Sequence, residues 1–117
     1  MVAMETLLFE VATPLGFTVR CTRRYWDFIV SEKHPTLAGQ EQAVAQVLSD
    51  PDEVRKSRKD SAVLLFYRGE HPRWLCAVTR RESGAGFLIT AYPTDAIKAG
   101  ETLWTRSKSS TTPSDTP

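Results

Sequence analysis

At 117 residues, 41% hydrophobic and 25% charged, the chain is sized for one domain around one core. A domain of this length buries roughly two thirds of its unfolded surface, so folding requires neither a metal nor a disulfide. No apolar run approaches the ~18 residues of a membrane span, and the N-terminus lacks the pattern of a secretory signal; a cytoplasmic protein is expected.

The formal charge of +1 says nothing about a polyanionic partner, but its distribution does. Basic residues gather at Arg20, Arg23 and Arg24, between Arg55 and Lys59, and at Arg80 and Arg81. Cys21 and Cys76 stand far apart in apolar, strand-like contexts, which predicts reduced core thiols rather than a bridge.

The alternation of Leu7, Phe9 and Val11 predicts a half-buried strand. The turn residues Thr13-Pro14-Leu15-Gly16 lead into a second strand over 17–21, making a hairpin. Thr22 is an N-cap residue for the next element, because its hydroxyl can accept an orphan backbone N–H. Trp26, Ile29, Val30 and Lys33 then follow helical spacing, giving an apolar stripe. Pro35 disfavours the helical region for His34 and closes that helix. A second helix is predicted over 37–49, with Val44, Val47 and Leu48 inward, stopped by Asp50-Pro51-Asp52.

Residues 53–58 predict a short, basic edge strand. Three apolar segments follow at 63–68, 74–78 and 87–92, joined by connections short enough to imply antiparallel neighbours. Residues 94–100 predict a short helix capped by Thr94 and ended by Gly100. From Arg106 the sequence is polar, and 106–117 is expected to be disordered. The sum is a single α+β domain over 1–105: an N-terminal hairpin and two helices on one face of a four-stranded antiparallel sheet, with a short C-terminal helix.

No phosphate loop, His-Glu-x-x-His, Cys-x-x-Cys or nucleophile elbow is present, and two histidines with two isolated cysteines are few ligands for zinc. No metal and no cofactor is expected. His34 is the first candidate, since an imidazole titrates near neutral pH and can act as acid or base. A helix-terminal histidine that only bonds the last carbonyls is an equally good account of it. In the basic strand, period 2 pairs Arg55 with Ser57 and Lys56 with Arg58, and either pair could offer an arginine fork to a phosphate. For most of these charges a solvated edge explains as much. Period 2 also puts Leu88, Thr90 and Tyr92 on one face of the last apolar strand, and Tyr67 ends a neighbouring run in the same way. Hydroxyls at strand ends opposite a basic patch suit a phosphodiester, although each singly is an ordinary amphipathic strand end. His71, in a turn before proline, is assigned no role.

Taken in order, Tyr25-Trp26-x-x-Ile29, Lys33-His34-Pro35, Asp50-Pro51-Asp52-Glu53-Val54, Ser57-Arg58-x-Asp60, Leu65-Phe66-Tyr67-Arg68, Thr90-Ala91-Tyr92-x-Thr94-Asp95 and Gly100-x-x-x-Trp104 form a series. It resembles phage- and mobile-element-associated proteins grouped with the barnase–EndoU–colicin–RelE-like nuclease superfamily, over roughly residues 5 to 105. The resemblance implies a metal-independent endoribonuclease in which a 2′-hydroxyl attacks the phosphodiester. It implies His34 as acid–base, Arg58 as the phosphate cation, and Thr90 with Tyr92 as a strand-end polar pair. Arg55, Ser57, Tyr67 and Arg68 would bind substrate in the same cleft. RNA is the expected partner, with a cognate inhibitor protein as a further one if the chain is a toxin. The competing expectation is a non-catalytic accessory domain that binds nucleic acid or a protein. An immunity role fits less well, because no strongly acidic face is visible.

Overall fold

The computed structural model describes residues 6–70 and 72–106. The turn position of His71 and the expected tail from 107 onward lie outside the described residues. A single seven-stranded sheet runs through the molecule in the order β1-β2-β6-β5-β4-β3-β7. Strands β1 (Leu7–Ala12) and β2 (Thr18–Thr22) form the expected hairpin. Instead of standing apart from the main sheet, β2 joins it by a short parallel ladder, Thr18–Arg20 against Ala85–Phe87. The sheet is therefore mixed, not the four-stranded antiparallel one that the hydrophobic pattern suggests.

Helix α1 (Arg23–Phe28) starts where expected: the Thr22 hydroxyl accepts the Tyr25 N–H at 3.1 Å. Its last turn widens into a π-helical turn, Ile29–Lys33, closed by the His34 N–H donating to the Ile29 carbonyl at 2.8 Å. Pro35 opens a 3₁₀ turn, Pro35–Leu37, and α2 (Glu41–Ser49) begins later than predicted. The reason is local, since Gly39 takes a positive φ of 81° that a helix does not accept.

The meander β3 (Glu53–Lys56), β4 (Val63–Glu70), β5 (Arg73–Glu82) and β6 (Ala85–Thr94) pairs antiparallel throughout. The expected helix over 94–100 does not form. The Thr94 hydroxyl instead bonds within its own bend, accepting from the Ala96 N–H and donating to the Ala96 carbonyl. Residues 95–100 run as a strap from β6 across to the far edge of the sheet. There β7 (Glu101–Thr105) pairs with β3, so β3 is interior and β7 is the edge. Gly100 permits that docking, because a Cβ there would collide with the Lys56 carbonyl. Arg106, expected to open a disordered tail, is tied down by Asp50 and Asp52.

Each face of the sheet carries its own apolar cluster. The larger holds Val19, Val54, Phe66, Ala77 and Leu88 under Trp26, Ile29, Val44, Val47 and Leu48 from the helices. The smaller, on the opposite face, holds Leu65, Tyr67 and Cys76 with Trp74, Val78, Tyr92 and Ile97. Both cysteines are free and buried, as expected. Among the described residues no helix is long and apolar enough to cross a membrane.

Candidate functional site

The strap-side face collects most of the polar candidates. Residues directly opposite one another in a ladder share a face, so Arg55 stands with Leu65, Thr90 with Val78, and Tyr92 with Cys76 and Tyr67. The predicted companionship of Leu88 with Thr90 and Tyr92 fails. A β-bulge between Val78 and Thr79 gives β6 one extra residue, Ile89, and reverses the alternation. Leu88 therefore enters the helix-side core with Ala91, while Thr90 and Tyr92 face the other way.

The same bulge frees the Ile89 carbonyl from the ladder. The Tyr25 hydroxyl donates to it at 2.8 Å and the Lys33 ammonium at 3.3 Å. These bonds moor the end of α1 and the π-turn beside β6, past the point where β2 stops pairing. His34 follows immediately, with φ −142° and ψ 82°, outside the helical region that Pro35 disfavours. Its ring lies 5.7 Å from the Tyr92 ring, tilted by 44°. One bulge thus brings Lys33, His34, Thr90 and Tyr92 to one edge of one face.

Further along the face, the Cys76 thiol interacts with the side chains of both Tyr92 and Tyr67. Burial pushes the thiol up to about 11, although the two hydroxyls pull it partly back. The Tyr67 hydroxyl accepts the Lys98 N–H of the strap at 3.1 Å, and burial raises it to about 12. Burial likewise carries the Tyr92 hydroxyl well above its ordinary value. All three groups are protonated at neutral pH, so none of them is a base or an anionic nucleophile. They are donors. The Thr90 Oγ1 is buried with no hydrogen-bond partner, a cost of about 1–3 kcal/mol that calls for an explanation.

The cations sort differently from the resemblance. Arg58 is exposed in the turn after β3. Two strands, β5 and β4, lie between β6 and β3, so three strand spacings separate them, and Arg58 lies beyond the row that joins Glu53 to Tyr92 through Tyr67 and Cys76. At ~4.8 Å per strand and ~3.3 Å per residue, it stands on the order of 20 Å from the His34–Tyr92 pair. Arg55 shares the face but is engaged by Glu53 and by the Lys98 carbonyl at 3.3 Å. The Ser57 hydroxyl accepts the Lys59 N–H and shapes the turn. Arg68 sits on the helix-side face, where it donates to the Asp50 carbonyl and carboxylate at the end of α2. Its role is to clamp that helix to the sheet. The cation at the site is Lys33, which helical spacing groups with Trp26, Ile29 and Val30 and which the bulged Ile89 carbonyl holds at this edge.

Among the described residues, no group of three or more His, Cys, Asp or Glu side chains is placed to hold a metal ion. A second feature opens where β2 and β6 diverge: a groove of about 600 Å³ lined by Arg20, Arg24, Tyr25, Phe28, Phe87 and Leu88, with Cys21 and Thr22. Neither a family model nor any curated protein or solved structure matches the chain.

Proposed function

We propose that the domain cleaves RNA without a metal, using the edge site formed by Lys33, His34, Thr90 and Tyr92. The observation that supports this is the His34–Tyr92 contact beside a buried, unpartnered Thr90 hydroxyl and a lysine ammonium. In this reading the His34 imidazole takes the proton of a 2′-hydroxyl as its oxygen attacks phosphorus. The P–O5′ bond breaks, and the imidazolium returns the proton to the departing 5′-oxygen. Lys33 neutralises the phosphorane in the place that the resemblance gives to Arg58, and the buried Thr90 hydroxyl adds a polar group beneath the site. Tyr92, protonated and packed on His34, orients the ring rather than moving a proton.

The test is a denaturing gel of a labelled RNA with the wild-type chain in EDTA. A ladder ending in 2′,3′-cyclic phosphate and 5′-hydroxyl is expected, and it is lost in His34→Ala. Intact RNA at every enzyme concentration contradicts the reading.

One observation favours a second reading, a non-catalytic domain that binds nucleic acid or a protein. Tyr67 is completely buried, with the strap backbone bonded to its hydroxyl, so it is out of a substrate's reach. Salt-dependent binding of RNA with no product on the same gel identifies that case.

A further inference from the structure

We propose that the groove between β2 and β6 is a stacking site for unpaired nucleobases, with Phe28 and Phe87 as its platforms. It needs no cleavage at the His34 edge and stands on separate observations. The first is exposure: Phe28 keeps 44% and Phe87 43% of its surface open, and both line the same groove. A folded domain of this size has enough core to bury two phenylalanines, so two on one groove mark a surface built for an aromatic or apolar ligand.

The second observation is how the groove is held open. The β2–β6 ladder ends at Arg20 and Phe87, and the strands separate from there on. Tyr25 spans the gap, its ring 5.6 Å from Phe28 and its hydroxyl on the bulged Ile89 carbonyl. The bulge, the hydroxyl tether and the helix start fix the walls without filling the space between them.

The third observation is charge. Arg20 and Arg24 border the apolar floor of Cys21 and Leu88. Arg20 spans to Glu10 yet leaves 57% of its side chain exposed. Lys33 extends the cationic rim along Phe28, with its ammonium 5.6 Å from that ring. Flat aromatic faces between cations fit a ligand that alternates flat bases with phosphates, which is a single strand of RNA or DNA. A paired duplex hides the faces of its bases, and a groove that reads them discriminates against it. An acidic peptide would use the cations and leave the two phenylalanines without a stacking partner.

Binding of a fluorescein-labelled 12-mer, as oligo-U and as oligo-dT, against a self-paired hairpin of equal length measures this by anisotropy. The expected order is both single strands at least about tenfold tighter than the hairpin. Phe87→Leu keeps the apolar bulk and removes the ring; it weakens single-strand binding about tenfold, and Phe87→Tyr restores it. Phe28→Ala has an effect of the same size, since base–aromatic stacking is tolerant of sequence. Each ring is a little more than half covered, so urea midpoints are measured alongside and affinities are compared at a temperature where every variant is folded. Arg20→Ala weakens all strands alike and flattens the salt dependence. Unchanged affinity in Phe87→Leu, equal affinity for hairpin and single strand, or no binding at 50 mM salt each overturns the stacking site. Cleavage on the denaturing gel is read separately, so loss of either activity leaves the other interpretable.

Discussion

The two faces of the sheet are built on opposite terms. On the helix side, Trp26, Ile29, Leu48 and Phe66 pack with essentially no exposure, and the indole N–H of Trp26 is the one polar group among the four. On the strap side, the buried row is Tyr67, Cys76 and Tyr92, three groups with protons to place, covered by a segment that forms no helix or strand. The first face stabilises mainly by apolar area, with Thr79 buried there on the Leu64 carbonyl. The second buries polar atoms that would be unfavourable without partners, and it satisfies most of them with one another and with the strap backbone. Thr90 is the exception, and it stands next to His34's partner Tyr92 in β6. Such a contrast is the reason the proposed site is placed on the face that costs stability to build.

The helix-side face depends most on Trp26. Trp26→Ala empties the centre of the helix-side core and is expected to cost about 3–5 kcal/mol in denaturant unfolding, the largest effect of any single change here. A loss of less than about 1 kcal/mol would mean that the helices contribute little to this core.

Both faces respond to alkaline pH: burial pushes Cys21 of the helix-side core up to about 12, and the strap side carries two such groups in contact. Tyr67 is raised from its ordinary 10.0 to about 12, and Cys76 from 9.0 to about 11, so the folded state keeps protons that the unfolded chain releases. The stability these groups contribute is complete below pH 9 and is lost as pH rises toward 11 to 12. Tyr67→Phe removes part of that alkaline loss and leaves the Lys98 N–H without its acceptor. Urea midpoints measured from pH 7 to 11 test both points, and a midpoint flat in pH would contradict the buried row. Acid acts elsewhere. Burial raises Asp52, but the Gly69 N–H and the Arg106 guanidinium outweigh it and hold the carboxyl below its ordinary range. That contribution is present above the unfolded pKa and disappears as pH falls through the folded one.

Gly100→Ala sharpens the role of the strap. The added Cβ meets the Lys56 carbonyl, so the strap must lift from β3, and solvent should reach Tyr67 and Cys76. Alkylation of Cys76 by iodoacetamide at pH 8, slow in the wild type, is expected to accelerate in this variant. An unchanged rate would mean that the strap is not the cover. The smallest effect belongs to Thr22→Ala, which removes one cap from α1 and costs about 1 kcal/mol.

What could be read from the sequence follows the range of the forces involved. The hairpin, the Thr22 cap, the proline stop at His34 and the apolar meander depend on neighbouring residues, and they lie near where the pattern places them. The parallel β2–β6 ladder, the interior position of β3 and the pairing of β7 join segments far apart in the chain, and no local periodicity records them. The helix expected over 94–100 shows the same limit, since the strap gains more from Tyr67, Arg55 and β3 than from its own turn. For the candidate site, His34 and Tyr92 were legible as residue types. The bulge at Ile89 was not, because it inserts one residue into an alternation that looks unbroken. It moved Leu88 to the opposite face and made Lys33, not Arg58, the cation at the edge.

The claim most open to contradiction is that chemistry belongs to the His34 edge and not to the Arg58 turn. Initial rates of RNA cleavage in EDTA, compared for His34→Ala and Arg58→Ala, decide it. A loss of about 10²–10⁴-fold is expected for His34→Ala, and a rate within about threefold of wild type for Arg58→Ala. A full rate in His34→Ala, or a collapse in Arg58→Ala, would contradict it.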